Sequence, residues 1–119
     1  MIRRGTVAAL VGLLGITAPA AAHSLLLESS PPAEAILSTS PSQLTLRFNN
    51  RIERRLSRIT VVDERGTAHA LAITAAAGGA DRLTAAVPAL GPGAYRVEWH
   101  VLSTDGHVVS GSFGFRLAR

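Results

Sequence analysis

Four histidines are the only soft nitrogen donors in this chain: His23, His69, His100 and His107. Two of them stand in unusual settings. His107 closes the tripeptide Asp105-Gly106-His107, and residues two apart in an extended segment project to the same side, so a carboxylate and an imidazole are offered together. His23 follows Pro19-Ala20-Ala21-Ala22, whose small residues fit the −3 and −1 positions of a signal-peptidase site. Cleavage after Ala22 makes His23 a terminus, and a terminal histidine offers its α-amine and Nδ1 to one metal in a single chelate ring. One amine, two imidazoles and one carboxylate form an N₃O set, which suits tetragonal Cu(II), and the Irving–Williams order favours Cu(II) at such donors.

Each piece also has an ordinary explanation. Asp-Gly is first of all a turn signal, His107 can be a surface histidine, and spacing alone does not bring residues 23 and 107 together. The donor inventory is limited from the other side as well. The chain has no Cys and its single Met is Met1, so thiolate sites are excluded and no thioether survives cleavage. Soft Cu(I) selects those sulfur ligands.

The leader itself reads from residues 1–22. Met1-Ile2-Arg3-Arg4 is a basic start, and Thr6 to Ala18 is uncharged and mostly apolar. A bilayer-spanning helix needs about 20 apolar residues, so the stretch suits a secretory signal better than an uncleaved anchor, the competing reading. Residues 23–119 then form one small domain. The full chain carries 12 basic residues, all Arg, against 8 acids, for a net charge of +4. Without Arg3 and Arg4 the excess falls to +2, and aromatics are only 4% of residues, so a nucleic-acid partner is not expected. The arginines between Arg47 and Arg58 are interrupted by Glu53 and read as a solvated face.

What must position His23, Asp105 and His107 is a set of strands. Period-two alternation recurs between turn residues. Seven segments read as strands: the short apolar run Ser24–Glu28, then Gln43–Phe48, Ile59–Val62, Ala70–Thr74, Arg82–Val87, Ala94–Ser103 and Val108–Leu117. Leu44, Leu46 and Phe48 share one face; so do Tyr95, Val97, Trp99 and Val101, and so do Phe113 and Phe115. Asp63-Glu64-Arg65-Gly66 reads as a turn. Arg51–Leu56 is open between strand and one helical turn, and Ala75-Ala76-Ala77 is read as loop because Gly78-Gly79 follows. Short strands at this spacing predict an all-β, seven-stranded β-sandwich. His100 follows Trp99 and must face the other way; His69, without an evident partner set, reads as a surface residue.

The chain from residue 23 onward resembles the CopC family of periplasmic copper-binding proteins. The resemblance is carried by His23 as a processed terminus, Ser30-Pro31-Pro32-Ala33-Glu34, Leu44-Thr45-Leu46-Arg47-Phe48 and Pro92-Gly93-Ala94-Tyr95-Arg96-Val97-Glu98-Trp99. It continues through Ser103-Thr104-Asp105-Gly106-His107 and Gly111-Ser112-Phe113-Gly114-Phe115. It implies a Greek-key sandwich of the immunoglobulin-like or cupredoxin-like kind, and one Cu(II) held by His23 (amine and side chain), Asp105 and His107 as a histidine brace. It further implies a monomeric periplasmic copper carrier or store, not an enzyme, with a CopD-type inner-membrane copper transporter as partner. Two positions depart from the family pattern. The mid-chain region Asp63–Ala80 lacks the methionines that form a Cu(I) site in some members, and Asn49-Asn50 stand where some members carry a Glu after the Phe. Two other classes stay open. A histidine-brace oxidative enzyme would need an open copper position and a flat aromatic face, against five aromatics in the chain. A metal-free β-sandwich interaction module would need no histidine at its terminus.

Overall fold

A computed structural model describes residues 25–74 and 78–119. The leader 1–22, His23 and the Ala75-Ala76-Ala77 stretch lie outside the described residues. Nine strands run along the rest: β1 (Leu26–Ser30), β2 (Ile36–Leu37), β3 (Gln43–Phe48), β4 (Arg58–Asp63), β5 (Ala68–Ala70), β6 (Ile73–Thr74), β7 (Arg82–Ala86), β8 (Gly93–Leu102) and β9 (Val108–Leu117). They form a four-stranded sheet, β1-β3-β7-β6, and a five-stranded sheet, β2-β9-β8-β4-β5. The chain passes repeatedly from one sheet to the other, as a Greek-key sandwich requires. Among the described residues there is no α-helix; the Arg51–Leu56 ambiguity resolves into a single 3₁₀ turn, Arg54–Leu56.

The alternation in the sequence is what puts the core between the sheets. Leu44, Leu46 and Phe48 of β3 are 0–1% exposed, and Leu83 and Ala85 of β7 continue their layer. Ile59 and Val61 of β4, Val97 and Val101 of β8, and Phe113, Phe115 and Leu117 of β9 close over them. Full burial of such a side chain is worth about 1.5–3 kcal/mol, and these rows do the work that disulfides do in many small exported domains.

The strand inventory differs from the expected seven in two places. Ala70–Thr74 is two strands, not one: β5 pairs with β4 in one sheet and β6 with β7 in the other. The chain changes sheet there because Leu71, at their junction, turns into the core (9% exposed). β2 was not legible at all. It is two residues long, pairs with β9 in parallel, and leaves Ile36 72% exposed, so it carries no alternation to detect.

β8 and β9, ten residues each, form a hairpin in which Trp99 lies opposite Gly111. The indole packs at 5.9 Å from the Phe113 ring and edge-on, at 6.5 Å, to Phe48. It lies across Gly111 so closely that a Cβ there would sit 2.3 Å from Cζ2 of the indole. Gly111→Ala is therefore expected to cost about 1–3 kcal/mol, the range for overpacked sites, read as a lower denaturant midpoint. Trp99→Leu in the same chain should remove most of that cost, because the clash belongs to the ring. Full additivity of the two changes would contradict the assignment.

Candidate metal centre

Asp105 and His107 sit on the short loop that joins β8 to β9, at one end of the sandwich. The Asp-Gly signal is indeed a turn. The Ser103 N–H donates to the His107 carbonyl at 2.9 Å and the Gly106 N–H to the Ser103 carbonyl at 2.9 Å. Gly106 has φ +90°, a conformation that side chains beyond hydrogen disfavour. That turn folds Asp105 and His107 onto each other. Asp105 Oδ1 accepts the His107 backbone N–H at 3.1 Å and lies 3.1 Å from His107 Nδ1. Their side chains are 34% and 51% exposed, so the pair is open to solvent yet held in one geometry.

Ser103 anchors the arrangement from below. It is 1% exposed, and its hydroxyl donates to Asp105 Oδ1. The Ser103 hydroxyl, then the His107 backbone N–H, hold the Asp105 carboxyl below its ordinary range, since donors aimed at a carboxylate favour its charged form. The group therefore stays an anion as pH falls, until that lowered value is reached. An ionised carboxylate beside an imidazole is a donor pair for a borderline divalent cation.

Two further segments reach the same end. The loop after β3 lies along the β8–β9 turn: Thr104 N–H donates to the Arg51 carbonyl at 3.0 Å, Glu53 N–H to the Leu102 carbonyl at 2.8 Å, and Ile52 bridges Ser103. This places Asn50 Nδ2 3.4 Å from Asp105 Oδ2, while Asn50 Oδ1 is taken up by the Arg51 N–H at 2.8 Å. Asn50 thus faces Asp105 as a hydrogen-bond donor. Its neighbour has a different job. Asn49 Oδ1 accepts the Leu25 N–H at 2.7 Å, and the Asn49 N–H donates to the Leu25 carbonyl at 3.0 Å. Leu25, just before β1, is thereby fastened to the loop that also carries Asn50.

Of the three residues expected to bind metal, the structure brings Asp105 and His107 together, and His23 lies outside the described residues. Among the described residues no group of three or more His, Cys, Asp or Glu side chains could hold a metal; Asp105 and His107 are a pair that needs another donor. His69 is exposed, 3.5 Å from Asp63 across the β4–β5 turn. His100 is exposed, with Nδ1 2.8 Å from Ser110 Oγ, on the face of β8 opposite Trp99, as its position in the strand requires. Sequence reasoning named Ser103 within the Asp105–His107 motif and Asn49 beside Asn50, but assigned neither the role the structure gives it. The first was legible as Ser-x-Asp-x-His with an Asx-type turn; the second was not, because residues 25 and 49 meet only through β1–β3 pairing.

No helix among the described residues is long and apolar enough to cross a membrane. The CopC domain matches residues 26–118. Over 109 residues the chain is 31% identical to copper resistance protein C of Pseudomonas syringae pv. tomato, covering 86% of each chain. It is also 31% identical over 97 residues to protein YobA of Escherichia coli K12, covering 79% of this chain and 77% of that one. The crystal structure of CopC from Methylosinus trichosporium OB3b superposes with a TM-score of 0.77 at 34% identity, covering 81% of this chain and 94% of that one. PcoC, a methionine-rich copper resistance protein from Escherichia coli, shares the fold with a TM-score of 0.66 at 24% identity, covering 81% and 99%. With a family match across nearly all of the described sandwich and relatives above 30% identity on both sequence and structure, this chain belongs to the CopC family.

Proposed function

We propose that this CopC-family chain is an exported copper-binding protein that carries or stores one Cu(II) ion in the periplasm. The ligands are the α-amine and imidazole of His23, exposed by cleavage after Ala22, together with Asp105 and His107. One observation carries the reading: Leu25 is hydrogen-bonded to Asn49, and the adjacent Asn50 reaches Asp105. An extended chain advances at most about 3.6 Å per residue, so a residue two positions ahead of Leu25 is within about 7 Å of it. That reach allows the His23 donors to meet Asp105 and His107, which supports the reading.

The donor chemistry favours Cu(II). Nitrogen and carboxylate oxygen suit it, whereas Cu(I) selects sulfur, and after cleavage this chain has none. In that respect it parts from PcoC, a methionine-rich relative by fold. Metal delivery to a CopD-type membrane transporter fits such a carrier.

The test uses a chain that begins at His23. Cu(II) is titrated in while the fluorescence of Trp99, the only tryptophan, is followed together with paramagnetic resonance. Quenching that saturates at one equivalent, with a type 2 spectrum, is the expected result. His107→Ala and Asp105→Ala should each weaken binding, by about tenfold or more. An unchanged affinity in His107→Ala would remove that residue from the ligand set.

A further inference from the structure

The arginine run between residues 47 and 58 acquires a location in the fold that the sequence could not give it. Arg51, Arg54, Arg55 and Arg58 are exposed, and the segment holding them is bonded to the metal-end turn through Arg51–Thr104, Glu53–Leu102 and Ser57 Oγ–Leu102. Arg54 and Arg55 line a groove of about 400 Å³ together with Arg82 from the start of β7. Among the described residues, none of Arg51, Arg54, Arg55 and Arg58 enters an ion pair; Arg47 alone of the run does, with Glu28 at 2.7 Å.

The charge is therefore unevenly placed. At the metal end six arginines (47, 51, 54, 55, 58, 82) face four acids, Glu28, Glu53, Asp81 and Asp105, while the remainder of the described chain balances four arginines against four acids. The surplus of the described residues falls in this group, whose 51–57 segment is hydrogen-bonded to the turn that carries Asp105 and His107. A bound divalent cation adds to it. Leu56, 65% exposed, stands amid these arginines, and arginine around isolated apolar contacts is the composition of protein interfaces.

We propose that this arginine face is the docking surface for an acidic protein that takes the metal from the site. The proposal rests on the copper-carrier reading and names the chemistry of the acceptor. Arginine presents a planar fork that pairs with carboxylates two bonds at a time. A complementary acidic face would be steered to the end of the sandwich where the metal is held, raising the encounter rate in a salt-dependent way. A protein fits better than a bilayer surface, because metal transfer needs incoming donor side chains at the site and lipid phosphates offer no imidazole. Glu53 and Asp105 within the patch also work against adsorption to a uniformly anionic sheet.

The experiment measures anisotropy of a fluorescein-labelled polyglutamate peptide with the chain from His23 onward, metal-free and Cu(II)-loaded. Arg54→Glu with Arg55→Glu is compared with Arg116→Glu with Arg119→Glu, which makes the same change in net charge at exposed positions away from the patch. The first pair should weaken binding about tenfold or more, and the second by less than about twofold. Arg54→Gln with Arg55→Gln should fall between wild type and the charge reversal, and wild-type binding should fade as salt rises to about 0.3 M. Equal weakening by both reversed pairs would reduce the effect to net charge and overturn the proposal. So would an absence of peptide binding, or co-sedimentation with phosphatidylglycerol vesicles in its place. Peptide binding by the metal-free protein judges the surface, and the Cu(II) titration of the same variants separately judges the metal site.

Discussion

Acetylation of the α-amine in a chain that begins at His23 is expected to lower Cu(II) affinity by about two orders of magnitude or more. The amine and the imidazole of one residue form a chelate, so once one has bound the second bond is intramolecular. Linked donors of this kind gain about 10²–10⁴ over separate ones. Acetylation removes the amine and leaves Leu25, Asn49, Asp105 and His107 untouched, so a loss measured by competition titration belongs to the terminus alone. Equal affinity in acetylated and free chains would dismiss the terminal amine as a ligand. The pH profile gives a second view of the same donors. Affinity should decline as pH falls from about 8 to about 6, because amine and imidazole must be free of protons to bind the metal. Asp105 should add no break in that range. The Ser103 hydroxyl and the His107 N–H hold its carboxyl below the ordinary value, so it gains a proton only at lower pH still.

Phe48→Ala should be among the most damaging single changes in the fold, costing about 3–5 kcal/mol. The ring is 1% exposed, packs edge-on to Trp99, and ends the strand whose next two residues are Asn49 and Asn50. A domain of this size shifts by about 4–8 °C per kcal/mol, so the melting temperature should fall by more than about 12 °C. Because Phe48 seats the loop that carries both asparagines, Cu(II) affinity should fall as well, at temperatures where the variant is still folded. A variant that melts as wild type does would show that the space left by the ring collapses without cost.

The sandwich was legible because burial imposes a period of two. Leu44-x-Leu46-x-Phe48 and Tyr95-x-Val97-x-Trp99-x-Val101 read directly as inward rows, and the structure has both. Where an element is short or does not alternate, that signal vanishes: β2 escaped, and Ala70–Thr74 read as one strand although it serves two sheets. The same division applies to the metal end. Asp105 and His107 are local to one turn, so their pairing follows from spacing. The fastening of Leu25 to Asn49, and of Asn50 to Asp105, depends on β1–β3 pairing and on how the two sheets abut, over separations of 24 and 55 residues. No local pattern encodes contacts at that range.

β1 is an edge strand of the four-stranded sheet, and the Asp105–His107 turn belongs to the five-stranded one. A metal ligated by His23 and His107 would join the start of the chain to its last hairpin and one sheet to the other. That is the topology of the inter-sheet cystine in antibody-type sandwiches, closed across a long loop where cross-linking restricts the unfolded chain most. In a protein without cysteine, the cargo would act as a removable cross-link, added to the β1–β3 pairing and the Leu25–Asn49 fastening only while the carrier is full.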